Sequence, residues 1–222
     1  MIRNVSLEEI SDGKLYTLND MAKAGCGGCE GCSDCCRGMG ESIVLDPLDF
    51  ARMAEGLSLS PEQLLGGYLE LHVVDGIVLP NLKMAGEGEQ CLFLNKEGRC
   101  SIHPYRPGIC RIFPLGRYYE EKDGKEEFHY FLQIHECSRP GRAKVKVRKW
   151  IDTPQADRYD KYILEWHHFL KEMQQRAAGA DAKEAQAVSL YVLKTFYLQS
   201  YSGMDSFYEE FYRRIGKTEG TE

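Results

Sequence analysis

The chain has 222 residues, a formal net charge of −6, 43% hydrophobic residues and 28% charged residues, which suits one domain with an appendage or two small lobes. Its acidic balance argues against a nucleic-acid partner. No run of about 18 apolar residues offers a membrane span, and Met1-Ile2-Arg3-Asn4-Val5-Ser6-Leu7-Glu8-Glu9 turns acidic at once, so the expectation is a cytoplasmic protein with no membrane partner.

Residues 1–25 carry a weak apolar pattern (Ile2, Val5, Leu7, Ile10, Leu15, Leu18, Met21) broken at Ser11-Asp12-Gly13, read as a short strand or helix. Cys26 follows, and then Cys29-Glu30-Gly31-Cys32-Ser33-Asp34-Cys35-Cys36, the stretch around which the chain is organised. Thiolates two residues apart wrap one metal, because the turn between them points both sulfurs inward about 4 Å apart. The glycines around them let the backbone bend tightly. No Lys-Ser/Thr pair follows to make a phosphate cradle.

Ile43-Val44-Leu45 reads as a brief strand. Asp46-Pro47 starts a helix that Gly56 should end, and Ser60-Pro61-Glu62-Gln63 is the capping box of a second. Leu71 to Leu79 predicts a hairpin turning at Asp75-Gly76. Cys91 and Cys100 then stand at strand ends or turns. Three prolines in Pro104-Tyr105-Arg106-Pro107-Gly108-Ile109-Cys110-Arg111-Ile112-Phe113-Pro114 exclude an ordinary helix through that length. Arg106 and Arg111 flank Cys110, where a guanidinium can offset thiolate charge or hydrogen-bond to sulfur, or else make a surface ion pair.

Tyr118 to Lys125 predicts a strand turning at Asp123-Gly124 and returning through Phe128–Leu132, with Cys137 soon after. Lys144-Val145-Lys146-Val147-Arg148 alternates like an edge strand guarded by charge. The last third has no cysteine. Thr153-Pro154 opens a helix with an apolar stripe from Tyr159 to Met173, a second carries Val188 to Tyr197, and a third starts at the box Ser206-Phe207-Tyr208-Glu209. The fold class expected is α+β: an irregular cysteine-rich core with short strands and two inserted helices over residues 1–150, a helical lobe over 151–216, and a frayed tail at 217–222.

Nine cysteines, an odd number, in a chain expected in reducing cytosol point to metal ligation rather than a disulfide scaffold. With Cys26 in reserve, the ligand set is Cys29, Cys32, Cys35, Cys36, Cys91, Cys100, Cys110 and Cys137. Eight thiolates could serve two four-cysteine sites, or one cluster and a second site. Alternatively, Cys26, Cys29, Cys32 and Cys36 reproduce the C-x₂-C-x₂-C-x₃-C spacing of bacterial ferredoxins, with Arg37 in place of their proline. Soft thiolates select zinc and iron–sulfur clusters alike, but neighbouring side chains of extended chain point to opposite faces, so Cys35 and Cys36 suit mononuclear zinc poorly and tilt the choice towards an iron–sulfur cluster. His103 and His135 could each complete a site.

The run Cys29-x₂-Cys32-x₂-Cys35-Cys36, Cys91-Leu-Phe-Leu, Gly98-Arg-Cys100-Ser-Ile-His, Arg106-Pro-x-x-Cys110-Arg-x-Phe113-Pro and Cys137 resembles the YkgJ family of cysteine-cluster proteins over roughly residues 26–140. His103 stands where that family often has Tyr. The resemblance implies a zinc- or iron-chelating domain, often described as an Fe–S oxidoreductase, and similar cysteines occur in flagellin lysine N-methylases. Three functions follow as expectations: a 4Fe-4S protein in redox chemistry or electron transfer with a protein partner, a structural zinc module presenting the helices to a partner, or a protein lysine methylase. Against the last, the Cys-x₃-Cys-x₂-Cys motif of radical S-adenosylmethionine enzymes is absent.

Overall fold

The computed structural model describes residues 6–27, 32–86, 88–138 and 142–220. Ser6 caps one helical turn, α1 (Leu7–Ile10), and the strands β1 (Ser11–Tyr16) and β2 (Met21–Gly25) follow. Asp34–Cys36 forms a 3-10 turn. Asp46 accepts from the Asp49 N–H (2.8 Å) and Pro47 occupies the first turn of α2 (Pro47–Leu57). Ser60 and Gln63 close the reciprocal box of α3 (Pro61–Tyr68). The hairpin of β3 (Leu69–Val74) and β4 (Ile77–Leu82) turns at Asp75-Gly76, both at positive φ, as a two-residue turn of matching twist requires.

Short strands β5 (Met84–Ala85) and β6 (Gln90–Cys91) pair next. A 3-10 turn at His103–Tyr105 leads to α4 (Gly108–Ile112). Strands β7 (Leu115–Lys122) and β8 (Lys125–Gln133) form a second hairpin, and β1 joins them in an antiparallel sheet of order β1-β8-β7. Strand β9 (Ala143–Lys146) pairs with β2, and α5 (Val147–Ile151) follows directly. The chain ends in α6 (Ala156–Ala178), α7 (Ala182–Leu193) with a π-helical turn at Lys194–Leu198, and α8 (Phe207–Arg214). Helices and small antiparallel sheets mix along one chain, and the fold is α+β.

Several boundaries differ from expectation for local reasons. Gly56 does not end α2: the helix continues to Leu57 and stops at Ser58 in the left-handed region (φ 55°). Gly56 is instead where the Tyr105 ring packs, and a Cβ there would overlap it. Ile43-Val44-Leu45 makes only an isolated bridge, Val44 to Asn81. The alternation at Lys144–Arg148 breaks at Val147, whose N–H donates to Asp20 and whose side chain is buried in α5. Thr153-Pro154 lies before α6, which opens behind Gln155 (φ 51°). Ser206 caps no N–H of α8; its hydroxyl binds the buried Glu210 carboxylate (3.0 Å).

Two apolar clusters hold the fold. The larger joins Ile43, Leu45, Phe50 and Met53 to Tyr162, Trp166, Phe196, Tyr197 and Phe211 of the C-terminal helices. The smaller gathers Tyr16, Ala22, Leu115, Tyr130, Val147 and Ile151. Polar ties sew the C-terminal helices to α2: the Tyr162 hydroxyl accepts from Leu48 N–H (3.1 Å) and donates to Asp46 (3.0 Å), and Tyr197 donates to the Leu45 carbonyl (2.9 Å). Such aromatic residues bury large area while their hydroxyls find partners.

Asp160 on α6 accepts from the Tyr130 hydroxyl (2.7 Å), and burial, its largest influence, lifts its carboxyl to about 6 from an ordinary 3.8. The folded state therefore keeps a proton that the unfolded chain has lost, so this group makes stability fall as pH climbs from about 4 to about 6. Asp160→Asn, which retains an acceptor for Tyr130, is expected to raise stability near neutral pH by on the order of 2 kcal/mol and to flatten that slope. Denaturant unfolding over this pH range checks both, and a variant less stable than wild type at neutral pH contradicts them.

Candidate metal centre

The cysteines reach one region from separate elements. Cys35 and Cys36 sit on the 3-10 turn, Cys91 on β6, Cys100 at an isolated bridge with Leu94, and Cys110 on α4. Cys91 is part of the larger apolar cluster, and Cys36, Cys100 and Cys110 pack against it. Burial, then the Cys35 and Cys91 thiols, Asp49 and Cys100, push the Cys110 thiol well up. Burial also raises Cys91, which feels Cys100 and Cys35, and raises Cys100, which feels Cys35. Four sulfurs from four chain segments thus share one electrostatic neighbourhood.

The 3-10 turn corrects one premise. Cys35 and Cys36 are not on extended chain; their sulfurs lie 3.8 Å apart on one side of the turn, and hydrogen bonding to Cys36, followed by burial, raises the Cys35 thiol. Adjacent residues diverge on a strand but not on a tight helical turn. Cys137 is brought in indirectly: the N–H and hydroxyl of its neighbour Ser138 donate to the Asp34 carboxylate (2.9 and 2.7 Å), at the head of the same turn. Cys32 is half-buried. Cys29 lies outside the described residues. Cys32, Cys35, Cys36, Cys91, Cys100, Cys110 and Cys137 are all free thiols.

The two arginines divide. The Arg106 guanidinium lowers both Cys35 and Cys100, opposing the effects of burial. Arg111 is 6% exposed and spends its guanidinium on the carbonyls of Asp152 (2.8 Å), Pro104 and Arg106 (3.4 Å each). It fixes the loop that carries Cys110. His103 and His135 are exposed.

The seat of α4 was not apparent from spacing. Asp49, in the first turn of α2, accepts the Gly108 N–H (2.7 Å), while burial and the neighbouring Asp46 hold its carboxyl well above the usual carboxylate range. Gly108 has no Cβ where one would overlap the Tyr159 hydroxyl. Only glycine lets α4 approach α6 this closely. The Trp150 indole N–H donates to the carbonyls of Ile112 and Phe113 (3.2 and 3.1 Å), holding the other end. A cavity of about 250 Å³ opens against Cys35 and Cys110, walled by Met39, Ile43, Ile109 and Phe113.

Convergent free thiols on the flank of an α+β core define a cysteine-cluster metal-binding protein. Residues 28–137 match the family model CxxCxxCC, described as "Putative zinc- or iron-chelating domain". The match spans 110 of the 222 residues and supports metal binding by the cysteine region. No curated protein and no solved structure matches the chain. Among the described residues, no helix is long and apolar enough to cross a membrane.

Two outcomes are expected. Gly108→Ala should lower stability by about 1–3 kcal/mol through overpacking and reduce the bound metal, because Cys110 moves with α4; thermal unfolding and metal analysis read these, and unchanged values contradict the close approach. Because Cys35, Cys91, Cys100 and Cys110 are raised as thiols, metal must displace their protons. Affinity should therefore rise with pH and loading should release protons, as calorimetry in buffers of different ionisation enthalpy measures; pH-independent loading contradicts this.

Proposed function

We propose that the site binds iron as a thiolate-ligated iron–sulfur cluster, held by Cys35, Cys91, Cys100 and Cys110 with Cys29, Cys32, Cys36 and Cys137 as the remaining ligand set. One observation carries the choice of metal. Cys35, Cys36, Cys91, Cys100 and Cys110 gather in one place, five thiols where one zinc ion takes four ligands, and a multi-iron core with thiolates at its corners suits such an all-sulfur set.

When bound, such a cluster supplies one-electron redox chemistry. The chain's own residues shape the site for it. Cys91 and Cys110 back onto apolar side chains that exclude water, Arg106 offsets thiolate charge, and the half-buried Cys36 beside Cys35 brings the site's rim near the surface. Electron exchange with a protein partner in the cytoplasm is the role that arrangement suits. A zinc site is the second reading, favoured by the Cys35 and Cys36 pair, whose 3.8 Å separation matches one edge of a zinc tetrahedron.

Protein purified without oxygen is expected to be brown, to contain iron and inorganic sulfide, and to bleach with dithionite. Cys110→Ser should lose most of the colour. A colourless protein with stoichiometric zinc and no sulfide overturns the first reading and supports the second.

A further inference from the structure

A second cavity, of about 450 Å³, lies beside the metal centre and is walled by Arg52, His103, Pro104, Arg106, Arg111, Arg148, Asp152, Thr153 and Pro154. Four arginines on one cleft are unexpected in a chain of net charge −6. They are also crowded. The Arg52 and Arg111 Nη2 atoms donate to the same Pro104 carbonyl (3.2 and 3.4 Å), and Arg106 supplies the next carbonyl that Arg111 Nη2 reaches (3.4 Å). Arg148 is neutralised by Asp157 (2.6 Å). Among the described residues, Arg52, Arg106 and Arg111 form no ion pair with a carboxylate, and the buried Arg111 Nε has no hydrogen-bond partner.

Carbonyl contacts fix these side chains without cancelling their charge. The shared Pro104 carbonyl and the Arg106 carbonyl bring the three guanidinium-bearing residues together. Asp152 is the acidic residue on the wall, and its backbone carbonyl is already taken by Arg111. Positive charge of about three against one carboxylate, on planar guanidinium forks held in place, is the chemistry that recognises a tetrahedral dianion.

We propose that this cleft binds the phosphate group of a small anionic ligand, with Arg52 and Arg106 as its direct donors and Arg111 as the buried charge behind them. Arg106 then serves both sites, lining the cleft and lending its charge to Cys35 and Cys100. Arg52 is not among the leading influences on Cys35, Cys91, Cys100 or Cys110, so it separates the two roles.

Calorimetric titration of the full metal-loaded chain with inorganic phosphate, malonate and chloride at equal ionic strength tests the proposal. Saturable phosphate binding stronger than that of malonate is expected, weakened at least about tenfold in Arg52→Gln with metal content unchanged. In the wild-type chain, phosphate should shift the amide resonances of Arg52, His103 and Arg106 before others. Absence of saturable phosphate binding, equal binding of malonate, an Arg52→Gln variant that binds as wild type, or resonance shifts spread over the surface would overturn it.

Discussion

The constraint on which this structure depends is the burial of several thiols in one place. Cys91 and Cys110 lie against the main apolar cluster, and Cys35 and Cys100 stand close enough to feel them. As thiolates they would repel one another in a medium that screens poorly. Protons neutralise them in the metal-free chain, and a cation coordinated by the sulfurs does so more completely. Arg106 is a partial counterweight from the side.

Much of the remaining architecture serves to deliver those sulfurs. The 3-10 turn brings two of them side by side, β6 and the Leu94 bridge place the next two, and α4 carries the fifth. The α4 helix is held from three directions: Asp49 of α2 at its start, Tyr159 of α6 against Gly108, and Trp150 of α5 at its end. The C-terminal helices are therefore the wall against which the cysteine region packs. Their aromatic residues fill the same core as α2 and β4, so damage to α6 should reach Cys110 through Tyr159.

Signals with a local cause were legible in the sequence. The caps at Asp46 and Ser60, the hairpins at Asp75-Gly76 and Asp123-Gly124, and the long apolar stripe of α6 each depend on residues within a few positions, and each formed. Signals that depend on distant partners were not. Gly56 looked like a helix stop because its true reason, the Tyr105 ring, lies far along the chain. Ser206 looked like a cap because its partner Glu210 could not be told from a solvated charge. Cys35 and Cys36 looked divergent because extended backbone was assumed where a tight turn forms. The tether from Asp34 to Ser138 and the basic cleft around Arg52 left no mark in residue spacing at all.

X-ray absorption at the iron and zinc edges of the full-length protein, prepared without oxygen, tests the central claim most directly. The account predicts iron with a sulfur-only first shell and a short iron–iron distance, both lost together when Cys110 is replaced by Ser. A first shell of nitrogen and oxygen, or a sulfur shell that survives the loss of Cys110 and Cys91 together, would contradict the convergence of these cysteines on one metal centre.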